Sequence, residues 1–103
     1  MERYSLPPNR TRFHVMGQTA RGQAAWMTLS PGQGTGGPDN RHAEADQWLY
    51  VVSGTGRAVV EGERVSLEAG DLVLIEAGEA HEIVADTELP LHTFSIYTPP
   101  EYY

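Results

Sequence analysis

The chain has 103 residues, 40% hydrophobic and 20% charged, with a formal net charge of −7. That length suits one domain, and the acidic balance argues against nucleic acid or an anionic membrane surface as a partner, since both are bound through clustered Lys and Arg. There is no cysteine, which excludes disulfides, thiolate metal sites and a cysteine nucleophile.

The first ten residues, MERYSLPPNR, lack the apolar core of a signal peptide. No stretch approaches the roughly 18 apolar residues of a membrane span, so a cytoplasmic location is expected. Beyond them, glycine and proline cut the chain into short pieces rich in β-branched and aromatic residues. In order these are TRFHVMGQ, QAAWMTLS, QWLYVVSG, GRAVVEG, RVSLE, DLVLIEAG, HEIVA and LHTFSIY. Turn signals separate them: SPGQGTGGPDN, SGTG, EGE, EAGD and EAGEA. The best helical rival is DNRHAEADQWLYVV with Asp39 as N-cap. Its only apolar residues before Trp48 are Ala43 and Ala45, too little face to bury, so it is not read as a helix.

About eight short strands in one small domain predict an all-β fold, an antiparallel sandwich or barrel spanning 1–103, with 1–10 and 98–103 as terminal arms. Closure removes exposed edges, and a small barrel can hold one small ligand. Alternation along QWLYVVS places Gln47, Leu49 and Val51 on one face and Trp48, Tyr50 and Val52 on the other. His81 shares a face with Ile83, and Asn40 with His42 if that segment is extended. The inward face is thus apolar at depth and polar toward one mouth.

The residues that carry chemistry gather in two places. One is NRHAEADQW (40–48), between Gly37 and Gly54. The other is GDLVLIEAGEAH (70–81). Together they resemble the two motifs of a small single-domain cupin. The first cupin motif has two histidines at H-x-H spacing, a glutamate and a closing glycine. Here Asn40 stands at the first histidine, His42 at the second and Gln47 at the glutamate. The second motif matches at Gly70, Asp71, Gly78 and His81, with Glu76 in place of proline. The resemblance covers roughly residues 22 to 101.

It implies a jelly-roll β-barrel of the cupin type and one divalent metal ion (Zn, Mn, Fe or Ni) held by imidazoles and a carboxylate. Position by position, it implies His42, Gln47 and His81 as ligands, with Asn40 as a lesser candidate; apart from the resemblance, Glu44, two residues past His42, would supply the missing charge if its loop turned inward. Gln47 can coordinate only through a neutral amide oxygen, and a site without an anionic ligand binds its ion less tightly. Two functions follow as expectations. One is a metal-dependent enzyme on a small organic molecule, of dioxygenase, isomerase or lyase type. The other is a small-ligand binding or sensing module without chemistry. The fold alone does not choose between them.

Other residues have structural expectations. Asp71 braces its turn, and Gly70 and Gly78 take backbone conformations that favour glycine. Asn40 in PDN is by default a turn residue. Glu44, Asp46 and Glu76 read as surface charges. His14 and His92 fall outside both motifs. No serine has a G-x-S-x-G context, and no phosphate loop leads into a helix. Trp48, Tyr50 and Val52 on the outward face, with tyrosine beside proline pairs at both ends, suggest a homodimer.

Overall fold

The computed structural model describes residues 1–5, 12–36 and 42–102. It contains eight strands: β1 (Phe13–Gln18), β2 (Gln23–Leu29), β3 (Asp46–Ser53), β4 (Thr55–Val60), β5 (Glu63–Glu68), β6 (Leu72–Ile75), β7 (His81–Ala85) and β8 (Leu91–Thr98). Among the described residues there is no helix, and so none long and apolar enough to cross a membrane. Each strand falls on one of the expected apolar pieces. The segment beginning at His42 leads directly into β3, as its lack of a helical face predicted.

The strands form two antiparallel sheets, one ordered β1-β2-β8-β3-β6 and the other β5-β4-β7. They enclose a core of Leu29, Leu49, Val51, Ala58, Leu67, Ile75, Ile83, Ala85 and Leu91. Alternation decides which residues enter it. Leu49 and Val51 are fully buried, whereas Trp48, Tyr50 and Val52 are each more than a third exposed. This is the all-β jelly-roll barrel expected of the sequence.

The far edge of β7 is covered rather than left open. Gly34 bridges to Val84, Thr35 N–H donates to the Ile83 carbonyl at 3.0 Å and Ala85 N–H to the Gln33 carbonyl at 2.9 Å. The Arg12 guanidinium grips the same segment, donating to Gln33 Oε1 at 3.0 Å and to the Gly34 carbonyl at 2.9 Å. A covered edge cannot template further strands.

Three turn residues behave as expected. Asp71 Oδ2 accepts from Glu68 N–H at 2.9 Å, and Gly70 and Gly78 have φ of +96° and +85°. Gly54, between β3 and β4, is under the tightest constraint. Its φ is +89°, and a Cβ there would stand 2.2 Å from the Pro90 carbonyl oxygen. Gly62, between β4 and β5, also has positive φ (+80°), but a Cβ would meet nothing within 4 Å. Gly62→Ala should therefore cost only the left-handed penalty of about 1–2 kcal/mol. Gly54→Ala should cost about 3 kcal/mol or more, because backbone must also move. Urea unfolding of the two variants checks this; equal losses would show that the Gly54–Pro90 approach is not a constraint.

Candidate functional site

Two hydrogen bonds bring the expected ligands together. The His42 carbonyl accepts from Gly78 N–H at 2.7 Å, and Asp46 Oδ1 accepts from Ala77 N–H at 2.9 Å. Asp46 is thus a brace rather than a plain surface charge. These bonds fasten the entry to β3 against the turn before β7. His42 and His81 then meet with ring centroids 4.8 Å apart, although 39 positions separate them. Both rings are buried, as is Gln47 on the inward face of β3.

Each ring has one nitrogen committed away from its neighbour. His81 Nδ1 donates to the Glu79 carbonyl at 3.0 Å, which leaves Nε2 carrying the lone pair in the neutral ring. Burial pushes the His81 imidazole below its ordinary pKa, and the proximity of His42 adds to this; the Glu79 carbonyl opposes it. His42 Nδ1 meets Glu101 Oε1 at 2.9 Å. An imidazole fixed by a carboxylate or a carbonyl at one nitrogen is the usual outer support of a metal-ligating histidine.

The other side of His42 is unusual. Nε2 lies 3.1 Å from Gln47 Oε1, and Gln47 Nε2 donates to Ser95 Oγ at 3.0 Å. With Nδ1–H given to Glu101, a neutral His42 points a lone pair at an amide oxygen that also offers lone pairs. A cation resolves that opposition, whether a proton or a metal ion. Turning the Gln47 amide over resolves it too, since the NH2 then faces Nε2 and the Ser95 hydroxyl donates to the oxygen. The donors suit a divalent ion in type and orientation but not in charge. Among the described residues no three of His, Cys, Asp and Glu are placed to hold one ion. The set is two imidazoles and an amide oxygen, a weak and neutral site.

These residues form one end of a cavity of about 170 Å³. Phe13, Met27 and Ile83 supply its apolar wall, and Arg12, Thr35, Tyr97 and Tyr102 its other polar groups. Burial raises the pKa of both phenols, most strongly that of Tyr97. They are therefore hydrogen-bond donors at neutral pH and not bases.

The chain end closes the site. Gln23, 1% exposed at the start of β2, accepts through Oε1 from the N–H groups of Glu101 and Tyr102 at 3.2 and 3.0 Å. Its amide nitrogen donates to the Tyr102 carbonyl and to Gln18 Oε1. Held this way, Tyr102 packs on Phe13, Tyr97 and His42, with ring centroids 4.7, 5.2 and 6.1 Å apart.

Of the expected ligands, His42, His81 and Gln47 are thus assembled. Asn40 lies outside the described residues. Glu44 is exposed on the bend at 43–44 and does not line the cavity; the anionic group beside His42 is Glu101. Residues 99–102, expected to be part of a terminal arm, cover the site instead. His92 is on the outer face, stacked on Trp26 at 5.8 Å. The sequence reading missed Gln23, Ser95, Tyr97 and Glu101. Parity held a signal for three of them, because Gln23, Ser95 and Tyr97 fall at inward positions of β2 and β8.

Comparison with known proteins agrees with this architecture. The family model of the cupin domain matches residues 25–97. A Bacillus halodurans protein of known structure superposes with a TM-score of 0.86 at 24% identity, over 93% of this chain and 76% of its own. KdgF from a Halomonas species gives 0.78 at 26% identity, over 85% and 77%. A predicted oxalate decarboxylase from Thermotoga maritima gives 0.76 at 22%, over 85% and 79%. No curated protein matches.

Gln23→Leu leaves the N–H groups of Glu101 and Tyr102 without their acceptor while keeping the β2 position filled. Their amide exchange should accelerate about 30-fold or more, the equivalent of roughly 2 kcal/mol of lost local protection. Exchange in β3 and β8 should be unchanged. Unaltered exchange at both amides would mean that Gln23 does not hold the chain end.

Proposed function

The chain belongs to the cupin family, and we propose that its pocket binds a small, oxygen-rich organic acid together with one divalent metal ion held by His42, His81 and Gln47. The observation that carries this reading is the pairing of His42 Nε2 with Gln47 Oε1 at 3.1 Å while Nδ1 is committed to Glu101. Two acceptors facing each other beside a second imidazole suit a cation. Such an ion, when bound, supplies Lewis acidity to a ligand oxygen.

The chain's own groups define what else would fit. Arg12 lines the same cavity and uses two of its five N–H donors on Gln33 and Gly34, leaving others for a carboxylate. Tyr97 and Tyr102 add phenol donors. Phe13, Met27 and Ile83 would hold a short carbon skeleton and exclude water. A cavity of about 170 Å³ limits the ligand to a few carbons unless Tyr102 moves.

Turnover would be metal-assisted at the ligand oxygen, because the lining phenols stay protonated and the Nδ1 atoms of both histidines are occupied. That same lack of an uncommitted side-chain base favours, as a second reading, a module that holds the acid without converting it. Following the ligand by NMR in the presence of loaded protein separates the two.

Calorimetric titration of metal-free protein with Mn2+ or Zn2+ tests the site itself. One ion per chain is expected, and His81→Ala should abolish stoichiometric binding. Gln47→Glu should tighten it about tenfold or more, because a carboxylate adds direct attraction to the cation. Wild-type protein that takes up no ion, or a His81→Ala variant that binds equally well, would contradict the proposal.

A further inference from the structure

The last described residues of the chain are tied to the pocket from two sides. β8 ends at Thr98, paired with Asp46, and Pro99 and Pro100 follow, neither with an N–H to continue a ladder. The next two N–H groups, those of Glu101 and Tyr102, turn back onto the barrel and share one acceptor, Gln23 Oε1. Two side chains add to this hold. Tyr102 lines the cavity and packs on Phe13 and Tyr97. Glu101 Oε1 meets His42 Nδ1 at 2.9 Å.

We propose that residues 99–102 are a lid and the Glu101–His42 bond its latch, which tightens when the pocket takes up a cation. The inference rests on the proposed binding of a metal ion by His42, His81 and Gln47, and adds that the chain end responds to it. Three observations carry it. The first is where the latch ends. Gln23, Phe13 and Tyr97 are not among the proposed ligands, so their attachments to the lid do not depend on whether the site is filled. His42 faces both ways: Nδ1 meets Glu101, and Nε2 looks toward Gln47. A ring that gives its Nε2 lone pair to a cation becomes a stronger donor at Nδ1, and its bond to a carboxylate strengthens.

The second is charge. Two imidazoles and an amide oxygen bring no negative charge, so a divalent ion keeps its own. Glu101 stands one ring away, with side-chain exposures of 9% for His42 and 24% for Glu101, and attraction in that setting is only partly screened. The third is the neighbour of the latch. Tyr102 follows Glu101 directly and lies 4.7 Å from Phe13 across the cavity wall. A segment that releases Glu101 also withdraws Tyr102 and opens that side of the pocket to an entering ligand. The coupling is reciprocal: the factor by which the ion favours the closed lid is the factor by which the closed lid favours the ion. Carboxylates that support a metal-bound histidine set its scale at about 10- to 100-fold.

Hydrogen exchange at the Glu101 and Tyr102 amides, measured on the full chain at neutral pH with and without saturating Zn2+, reads the lid; calorimetry of the same samples reads the ion. Zinc should slow both amides about 10-fold or more and leave the edge strand β5, which does not line the pocket, unchanged. Glu101→Ala should weaken zinc binding by the same factor. Glu101→Gln keeps an acceptor for Nδ1 without the charge, so its lid should stay closed in metal-free protein and lose most of the response to zinc. Glu101 is partly exposed beside the chain end, and both variants should keep the β-sheet circular dichroism spectrum. Zinc that binds while the wild-type amides exchange as before overturns the lid and leaves the proposed site standing; a chain that binds no ion overturns both. A Glu101→Gln variant that responds to zinc as fully as wild type would overturn the latch.

Discussion

His42 is the point at which the parts of this molecule meet. Its carbonyl is bonded to the turn before β7, its ring faces His81, its Nε2 faces Gln47 on β3 and its Nδ1 is held by Glu101 from the chain end. A small residue there would leave a partly buried carboxylate, a buried amide and a second imidazole without their common partner. Buried polar groups are costly when unpaired, so this one side chain couples the order of the C-terminal strap to the geometry of the pocket. Among the described residues no buried side-chain nitrogen or oxygen lacks a hydrogen-bond partner. His42, Gln47, Ser95 and Glu101 are thus linked in one network and are not separate groups.

The barrel around this network divides its labour by strand parity. Odd positions of β3 and β8 point inward, where they are apolar at depth (Leu49, Val51, Leu91) and polar at the mouth (Gln47, Ser95, Tyr97). Even positions of the same strands make the outer face, which is uncharged from Trp48 to Val52 and from His92 to Ile96. A single alternating pattern thus produces a pocket on one side of the sheet and an apolar surface on the other. Substitutions at neighbouring positions should have unrelated consequences: Gln47 concerns the ligand site, and Trp48 concerns what packs against the sheet.

Much of this was legible in the sequence, for identifiable reasons. Short apolar runs between glycine-rich turns located all eight strands. Alternation assigned Leu49 and Val51 to the core and Trp48 and Tyr50 to the surface. His42, His81 and Gln47 could be singled out because they stand at ligand positions of the two motifs that resemble those of a cupin. What escaped was non-local. Glu101 reaches His42 across 59 positions, and Gln23 reaches Glu101 and Tyr102 across 78 and 79. No periodicity relates such pairs; they arise because β8 returns beside both β2 and β3. Glu44 was a local guess for the missing negative charge, and the bend at 43–44 turns it to solvent. The carboxylate beside His42 is Glu101, which meets Nδ1 and not the Nε2 side, so it supports the ring and leaves the ligand set neutral.

The central claim is that the two imidazoles present unprotonated Nε2 atoms to a common cation. Nitrogen-15 spectra of the histidine side chains in metal-free protein at neutral pH, before and after one equivalent of Zn2+, test it most directly. The account predicts that His42 and His81 both carry their proton on Nδ1, and that zinc shifts the two Nε2 resonances together while His14 and His92 stay unchanged. A proton found on Nε2 of His42 that one equivalent of zinc does not displace would contradict it.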